Sequence, residues 1–284
     1  MGKGERVQLT RLSEVRALAD SCGFHPSRAL GQNFLIDANI LDILVEAAGV
    51  RAGDRVLEVG PGMGVVTEAL LKRGAHVTAV EKDHRLFALL RETFGGEPNL
   101  DLIEGDALDL AVPLVRDRAI GSLVSNLPYN PGSRIMVELL CAEVPPQAMT
   151  VTVQLEVAER LMAAPGTKAY GLLGLWSQLH CEVRLVKIVS PTCFWPRPAI
   201  RSAIVTLRRR AEPLLDAAAL PPFYALTRYA FQHRRKQLVS LLTKAPGSLS
   251  LSAEESRARL AAVGLGDEVR PENLPVEAWC ALVR

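Results

Sequence analysis

From residue 55 onward, short runs of aliphatic and β-branched residues alternate with longer stretches whose apolar positions recur every three or four residues. The short runs cover 55–60, 76–81, 100–104, 120–126 and 149–154, and the stretches with helical spacing include 65–73, 83–94 and 133–141. Strand, helix, strand repetition at these lengths predicts a parallel α/β sheet with helices on both faces. Upstream, Leu12, Val15, Leu18 and Ala19 predict a short helix. Ile40, Leu41, Leu44, Val45 and Ala48 predict a second, which Asp37 can cap and Gly49 can stop.

Two further strand-like runs, 183–189 and 202–207, are separated only by a proline-rich loop. A loop that short cannot hold a crossover helix, so the pair is predicted to be antiparallel and to lie at one sheet edge. After Arg210 the strand pattern ends, Pro213, Pro221 and Pro222 punctuate the chain, and 224–242, 253–263 and 276–283 read as helices. The expected organisation is a Rossmann-like α/β domain over 1–209, with an N-terminal helical extension, and a small all-helical domain over 210–284.

Composition adds limits rather than a function. With 49% hydrophobic residues among 284, the chain can bury a sizeable core, and no apolar run is long enough to span a bilayer. The first residues lack the apolar centre of a secretory signal, and Glu5, Glu14 and Asp20 are out of place in a transit peptide, so a cytoplasmic location is expected. Cys22, Cys141, Cys181, Cys193 and Cys280 are scattered without a CxxC pair, and His25, His76, His84 and His180 are isolated, so no metal is expected. The net charge of +2 does not by itself announce a nucleic-acid partner. Local clusters change that picture: Arg208, Arg209 and Arg210 follow the last strand, and Arg228, Arg234, Arg235 and Lys236 fall in the predicted helix 224–242. They are candidates for a surface that follows a phosphate backbone, the alternative being a solvated helix face.

Chemistry concentrates at the ends of the predicted strands. Val56-Leu-Glu-Val-Gly-Pro-Gly-Met-Gly64 runs an apolar strand into a glycine-rich turn and then a helix, so the backbone can approach a ligand with no Cβ in the way. Glu81 closes the next strand, where an acidic side chain can take both hydroxyls of a ribose. Asp106 follows the third strand and Asn126 ends the fourth, so four successive strand ends present a glycine or a polar group on the edge where open α/β sheets bind ligands. The turn lacks the GxGxxG spacing that packs a pyrophosphate against a helix. S-adenosylmethionine, with a ribose and an adenine but no phosphate, fits better than a nicotinamide dinucleotide.

These residues lie in a chain that resembles, over nearly its whole length, the ribosomal RNA adenine dimethyltransferases, and within them the small-subunit branch. The resemblance runs from Leu30-Gly-Gln-Asn-Phe-Leu35 through Asn126-Leu-Pro-Tyr-Asn130 to Arg234-Arg-Lys-Gln237 and Pro271-Glu-Asn-Leu274. It implies a methyltransferase sheet in which Asn33 and Leu35 close over S-adenosylmethionine, Gly60 lies beneath its methionine part, Glu81 holds its ribose and Asp106 reads its adenine. Asn126 would sit where cofactor and target base meet.

An adenine exocyclic amine is a poor nucleophile because its lone pair is delocalised. A side-chain amide oxygen and a proline-constrained backbone carbonyl in Asn126-Leu127-Pro128-Tyr129 can accept its hydrogens and aim that lone pair at a methyl carbon. Tyr129 offers a flat face to the base, and by the same resemblance Phe194, in Phe194-Trp-Pro-Arg-Pro198, would cover the other face of an extruded adenine. The alternative for Phe194 is an aromatic plug in the core. Pro131-Gly132 stands where the family commonly has an isoleucine and a hydroxyl residue, and Ala199 where it often has a lysine.

The implied partner is small-subunit ribosomal RNA in a pre-subunit particle, and the implied state a monomer. Gln154-Leu-Glu-Val-Ala-Glu-Arg160 and Lys168-Ala-Tyr-Gly171 favour this branch over the antibiotic-resistance enzymes that act on large-subunit RNA. Intact Glu81, Asp106 and Asn126 argue against a non-catalytic assembly factor.

Overall fold

The computed structural model describes residues 8–21, 23–26 and 31–283, without the side chain of Ser248. Glu5, Cys22 and Leu30, named above, lie outside them. The parallel strands are β2 (Arg55–Val59), β3 (His76–Glu81), β4 (Leu100–Glu104), β5 (Ser122–Asn126) and β6 (Ala148–Gln154), joined by α3 (Val65–Lys72), α4 (His84–Phe94), α5 (Ala107–Asp117) and α6 (Gly132–Leu140). The seven-stranded sheet has the order β4-β3-β2-β5-β6-β9-β7, where β7 is Cys181–Val189 and β9 is Ser202–Arg209. Strands β2, β3, β4, β5 and β6 pair in parallel, and β9 runs antiparallel to β6 from Ala148↔Arg208 to Gln154↔Ser202. The order reverses direction between β2 and β5, and a crevice at the carboxyl ends of such neighbours is where this fold takes a ligand.

Two predicted elements differ. The helix expected over 224–242 is two, α9 (Leu220–Gln232) and α10 (Leu238–Leu242), with His233 turned out of helical geometry at φ −129°, ψ 40°. Consequently Arg234, Arg235 and Lys236 stand in a turn, not on a helix face. Helix α5 was masked in the hydrophobic pattern by Pro113 inside it, although Asp106 caps its start by accepting from the Leu108 N–H at 2.9 Å.

The domain boundary also moves. One compact unit comprises 1–158 and 183–209, the other 159–182 and 210–284, so the expected division at 209 is incomplete. Residues 159–182 belong with the helical unit because α8 (Leu172–His180) is bonded into it. The Tyr170 hydroxyl donates to the Leu274 carbonyl at 2.6 Å, and the Trp176 indole N–H donates to Thr227 Oγ1 at 3.0 Å. Helices α9 and α10 join α11 (Ala253–Ala262) and α12 (Val276–Val283) there, with Phe223, Leu260 and Trp279 fully buried.

In the first unit, α1 (Leu12–Ser21) and α2 (Ala38–Ala48) contribute Val15, Ala19, Leu44 and Val45 to a core shared with Val56, Val77, Val124 and Ile204. Asp37 caps α2 through the Ile40 N–H at 3.0 Å, and Gly49 ends it in the left-handed region at φ 66°. Among the described residues no helix is long and apolar enough to cross a membrane.

Candidate active site

At the carboxyl edge of the parallel strands lies a cavity of about 460 Å³, lined by Asn33, Leu35, Gly60, Glu81, Asp106, Asn126, Leu127 and Pro128 among others. Its floor is the turn between β2 and α3. Gly60 has φ 66°, and a Cβ there would stand 3.4 Å from Pro128 Cδ; Gly62 has φ 62°, and a Cβ there would stand 2.8 Å from the Phe34 ring. The Phe34 ring therefore leaves room only for hydrogen at Gly62, while at Gly60, in ordinary contact with Pro128, it is the left-handed backbone that favours glycine.

Glu81, 5% exposed at the end of β3, ties this floor down. Its Oε2 accepts from the Gly62 N–H at 3.1 Å and its Oε1 from the Asp83 N–H at 2.8 Å. Burial pushes its carboxyl up to about 7, against the opposing pull of those N–H donors. Asp106 lies at the next strand end, where Lys82 Nζ donates to its Oδ2 at 2.6 Å, and that bond holds its carboxyl below the usual range.

Asn126 closes β5. Its Nδ2 donates to the Asn33 carbonyl at 2.8 Å, while its Oδ1 is buried and has no hydrogen-bond partner among the described residues. Leu127 is buried and its N–H donates to the Thr152 carbonyl at 3.2 Å, fixing the loop to β6. The Pro128 carbonyl accepts from the Gly132 N–H at 3.0 Å, so α6 begins on this loop despite Pro131 and Gly132. Tyr129 is half-buried, with its hydroxyl 2.6 Å from Ser202 Oγ, and burial raises its phenol.

Two short strands absent from the sequence reading join two motifs. β1 (Phe34–Leu35) pairs antiparallel with β8 (Phe194–Trp195), in the register Phe34↔Trp195 and Leu35↔Phe194. Two-residue strands leave no periodicity to detect. Phe194 is 2% exposed and belongs to the core of its unit, so here its ring plugs the core instead of presenting a face.

The basic candidates are scattered in role. Arg208 is exposed and its Nη2 donates to the Ala47 carbonyl at 3.4 Å; Arg209 has a buried Nη1; Arg210 Nε donates to the Gln178 carbonyl at 3.0 Å. Arg228 lies over the Trp176 ring at 5.3 Å, and Arg234 pairs with Glu272 at 2.7 Å. Arg235 and Lys236 are exposed. Among the described residues no three His, Cys, Asp or Glu side chains gather as metal ligands.

Sequence reasoning missed Glu58. It sits 1% exposed on β2 and lines the cavity, with its Oε2 accepting from the Thr67 hydroxyl at 2.6 Å. Burial raises its carboxyl to about 8. The available signal was a lone acid between the apolar residues of a strand, Val56, Leu57 and Val59.

A cavity of this size, with bare glycine backbone for a floor and acids on its walls, suits a nucleoside carrying a small cationic arm and offers no pyrophosphate cradle. That marks a Rossmann-like methyltransferase dependent on S-adenosylmethionine. The chain belongs to the ribosomal RNA adenine dimethylase family, whose model matches residues 23–283. It is 37% identical to ribosomal RNA small subunit methyltransferase A of Alkaliphilus oremlandii, over 95% of this chain and 94% of that protein. It is 40% identical to the protein of the same name from Opitutus terrae, over 94% and 96%. Among solved structures it is similar to a dimethyladenosine transferase from Plasmodium falciparum, with a TM-score of 0.74, 25% identity and coverage of 87% and 95%. The 23S rRNA methyltransferase ErmE has a TM-score of 0.67 and 30% identity, with coverage of 88% and 98%. The enzyme is thus a ribosomal RNA adenine dimethyltransferase.

Proposed function

We propose that this enzyme dimethylates the N6 amines of two adjacent adenosines in a hairpin near the 3′ end of small-subunit ribosomal RNA, acting as a cytoplasmic monomer on a pre-subunit particle. The observation that carries the site assignment is the Asn126 side chain: its Nδ2 is committed to Asn33 and its buried Oδ1 has no partner among the described residues. An orphaned buried acceptor is costly, and a ligand N–H satisfies it. The target amine supplies that N–H.

The residues that would hold S-adenosylmethionine are Asn33, Leu35, Gly60, Glu81, Asp106 and Asn126, all on the cavity wall. Bound there, the cofactor supplies an electrophilic methyl on sulfonium. Asn126 Oδ1 and the Leu127 carbonyl, restrained by Pro128, accept the two amine hydrogens and turn the nitrogen lone pair toward that methyl. No strong base is needed, because the proton can leave after the new N–C bond forms. Tyr129 offers a ring to stack on the base, an interaction worth roughly 1–3 kcal/mol. Phe194 joins it only by leaving the core, so its stacking role requires a rearrangement of the loop after β7.

The exposed Arg208, Arg235 and Lys236 are proposed to follow the RNA backbone, with the helical unit serving as the substrate-recognition part. The names of the two bacterial relatives support the small subunit as target. Likeness to ErmE favours a second reading, methylation of large-subunit RNA. Methyl transfer to undermethylated small and large subunits in parallel, with the modified bases mapped, separates the two: two dimethylated adjacent adenosines in the small subunit are expected, and a single large-subunit adenosine would overturn the assignment.

A further inference from the structure

Glu58 and Glu81 lie on neighbouring parallel strands, β2 and β3, and on the same sheet face. Glu58 is in register with Ala79, and Glu81 stands two residues beyond that partner. Both are buried, both line the cavity, and Glu81 adds to the cost of ionising Glu58 through the low-dielectric wall they share.

The groups around them do not neutralise the pair. From α3 the Thr67 hydroxyl donates to Glu58, while Glu68 on the same helix is paired with Lys72 at 2.9 Å. From β3 and its following turn, Lys82 is engaged by Asp106, and Asp83 accepts from Gln32 Nε2 at 3.1 Å and lies 3.7 Å from Arg85. From α4, His84 is paired with Glu104 at 2.6 Å; from α6, Arg134 lines the cavity but pairs with Glu138 at 2.8 Å. Two carboxyls therefore face one cavity with no cation of the described protein bonded to either.

S-adenosylmethionine and its demethylated product differ by one positive charge, the sulfonium, in an otherwise similar frame. We propose that the Glu58–Glu81 carboxyl pair reads that charge: entry of the sulfonium form draws a proton off the pair into solvent, and the neutral thioether product is held less tightly for want of the same response. The pair thereby favours loading with fresh cofactor over retention of product. Raised carboxyls place this exchange near neutral pH, where a small change in local charge moves a large fraction of a proton. The inference rests on the cofactor occupying this cavity.

The test is calorimetric titration of the intact protein with S-adenosylmethionine and with S-adenosylhomocysteine, from pH 6 to 8.5, in phosphate and in Tris, whose ionisation heats differ. More protons should be released with the sulfonium ligand, and its preference over the product should grow severalfold across that range. Glu58→Gln, which keeps an acceptor for Thr67, should still bind both ligands and shrink both differences. The ligands' own ammonium groups titrate alike in parent and variant, so the comparison isolates the carboxyl. Equal proton counts with a pH-independent preference in the parent, or differences unchanged in Glu58→Gln, overturn the charge-reading pair alone. Failure of either ligand to compete for a site that Glu81→Ala weakens would overturn the cavity assignment with it.

Discussion

The side-chain amide of Asn126 donates to the backbone carbonyl of Asn33 at 2.8 Å, across 93 residues of sequence. That one bond joins the segment before the sheet to the loop after β5 and fixes which way the amide points. Because the nitrogen is committed, the oxygen is left as acceptor.

Asn126→Ala should therefore leave cofactor affinity within a few fold, measured by calorimetry, while single-turnover methyl transfer falls on the order of a hundredfold. A proportionate loss of both would make Asn126 a cofactor ligand only.

Glu81→Ala should weaken cofactor binding on the order of a hundredfold, since paired hydrogen bonds to a charged group are lost together with the anchors of Gly62 and Asp83. Glu81→Gln, which keeps one acceptor, should fall between the two. Unchanged affinity in the alanine variant would remove Glu81 from the site.

Arg235→Ala with Lys236→Ala should keep the fold, weaken small-subunit binding and reduce the salt dependence of the logarithmic affinity by about one to two units. Arg234→Ala should act differently, because Arg234 is paired with Glu272: its main effect should be a melting temperature lower by a few degrees. Binding across a salt series together with thermal melts checks both. An unchanged slope in the folded double variant would reduce the cluster to a solvated turn.

Burial lifts Glu58 from 4.5 to about 8, so over that window the folded state keeps a proton that the unfolded chain sheds. Stability in the absence of ligand must then fall as pH rises through the window, since the folded state binds more protons. Glu58→Gln should lose less melting temperature than the parent between pH 6 and 8.5. An identical pH profile in both would show that the folded carboxyl is already ionised below that range and that burial does not hold its proton.

Much of this was legible in the chain. Repetition of β-branched runs and helical spacing delivered the parallel strands, and Gly60, Glu81, Asp106 and Asn126 stood at successive strand ends where the fold gathers them. Burial was not legible. A lone acid between apolar strand residues marks Glu58 as unusual without saying that it is enclosed, and nothing local says that Phe194 is enclosed while Tyr129 is half-open. The basic run 233–236 looked helical because Leu238 and Leu241 continue the apolar spacing of Leu226 and Ala230, whereas the chain breaks at His233 and restarts after Gln237. Residues 159–182 carried no boundary signal, since their attachment to the helical unit depends on Tyr170 and Trp176 meeting partners far along the chain.

The strand order has a consequence for how the protein is made. β9 lies between β6 and β7, although β7 precedes it in the chain. On the ribosome, the first five parallel strands can assemble while β7 emerges with no place to dock, because its neighbour has not yet been synthesised. The β6 edge stays open until residue 209 clears the exit tunnel, and only then does β9 slot in and bring β7 with it. The sheet is thus completed in one late event, and an arrest of translation after β6 has emerged but before residue 209 clears the tunnel would leave an exposed edge ready to pair with another chain.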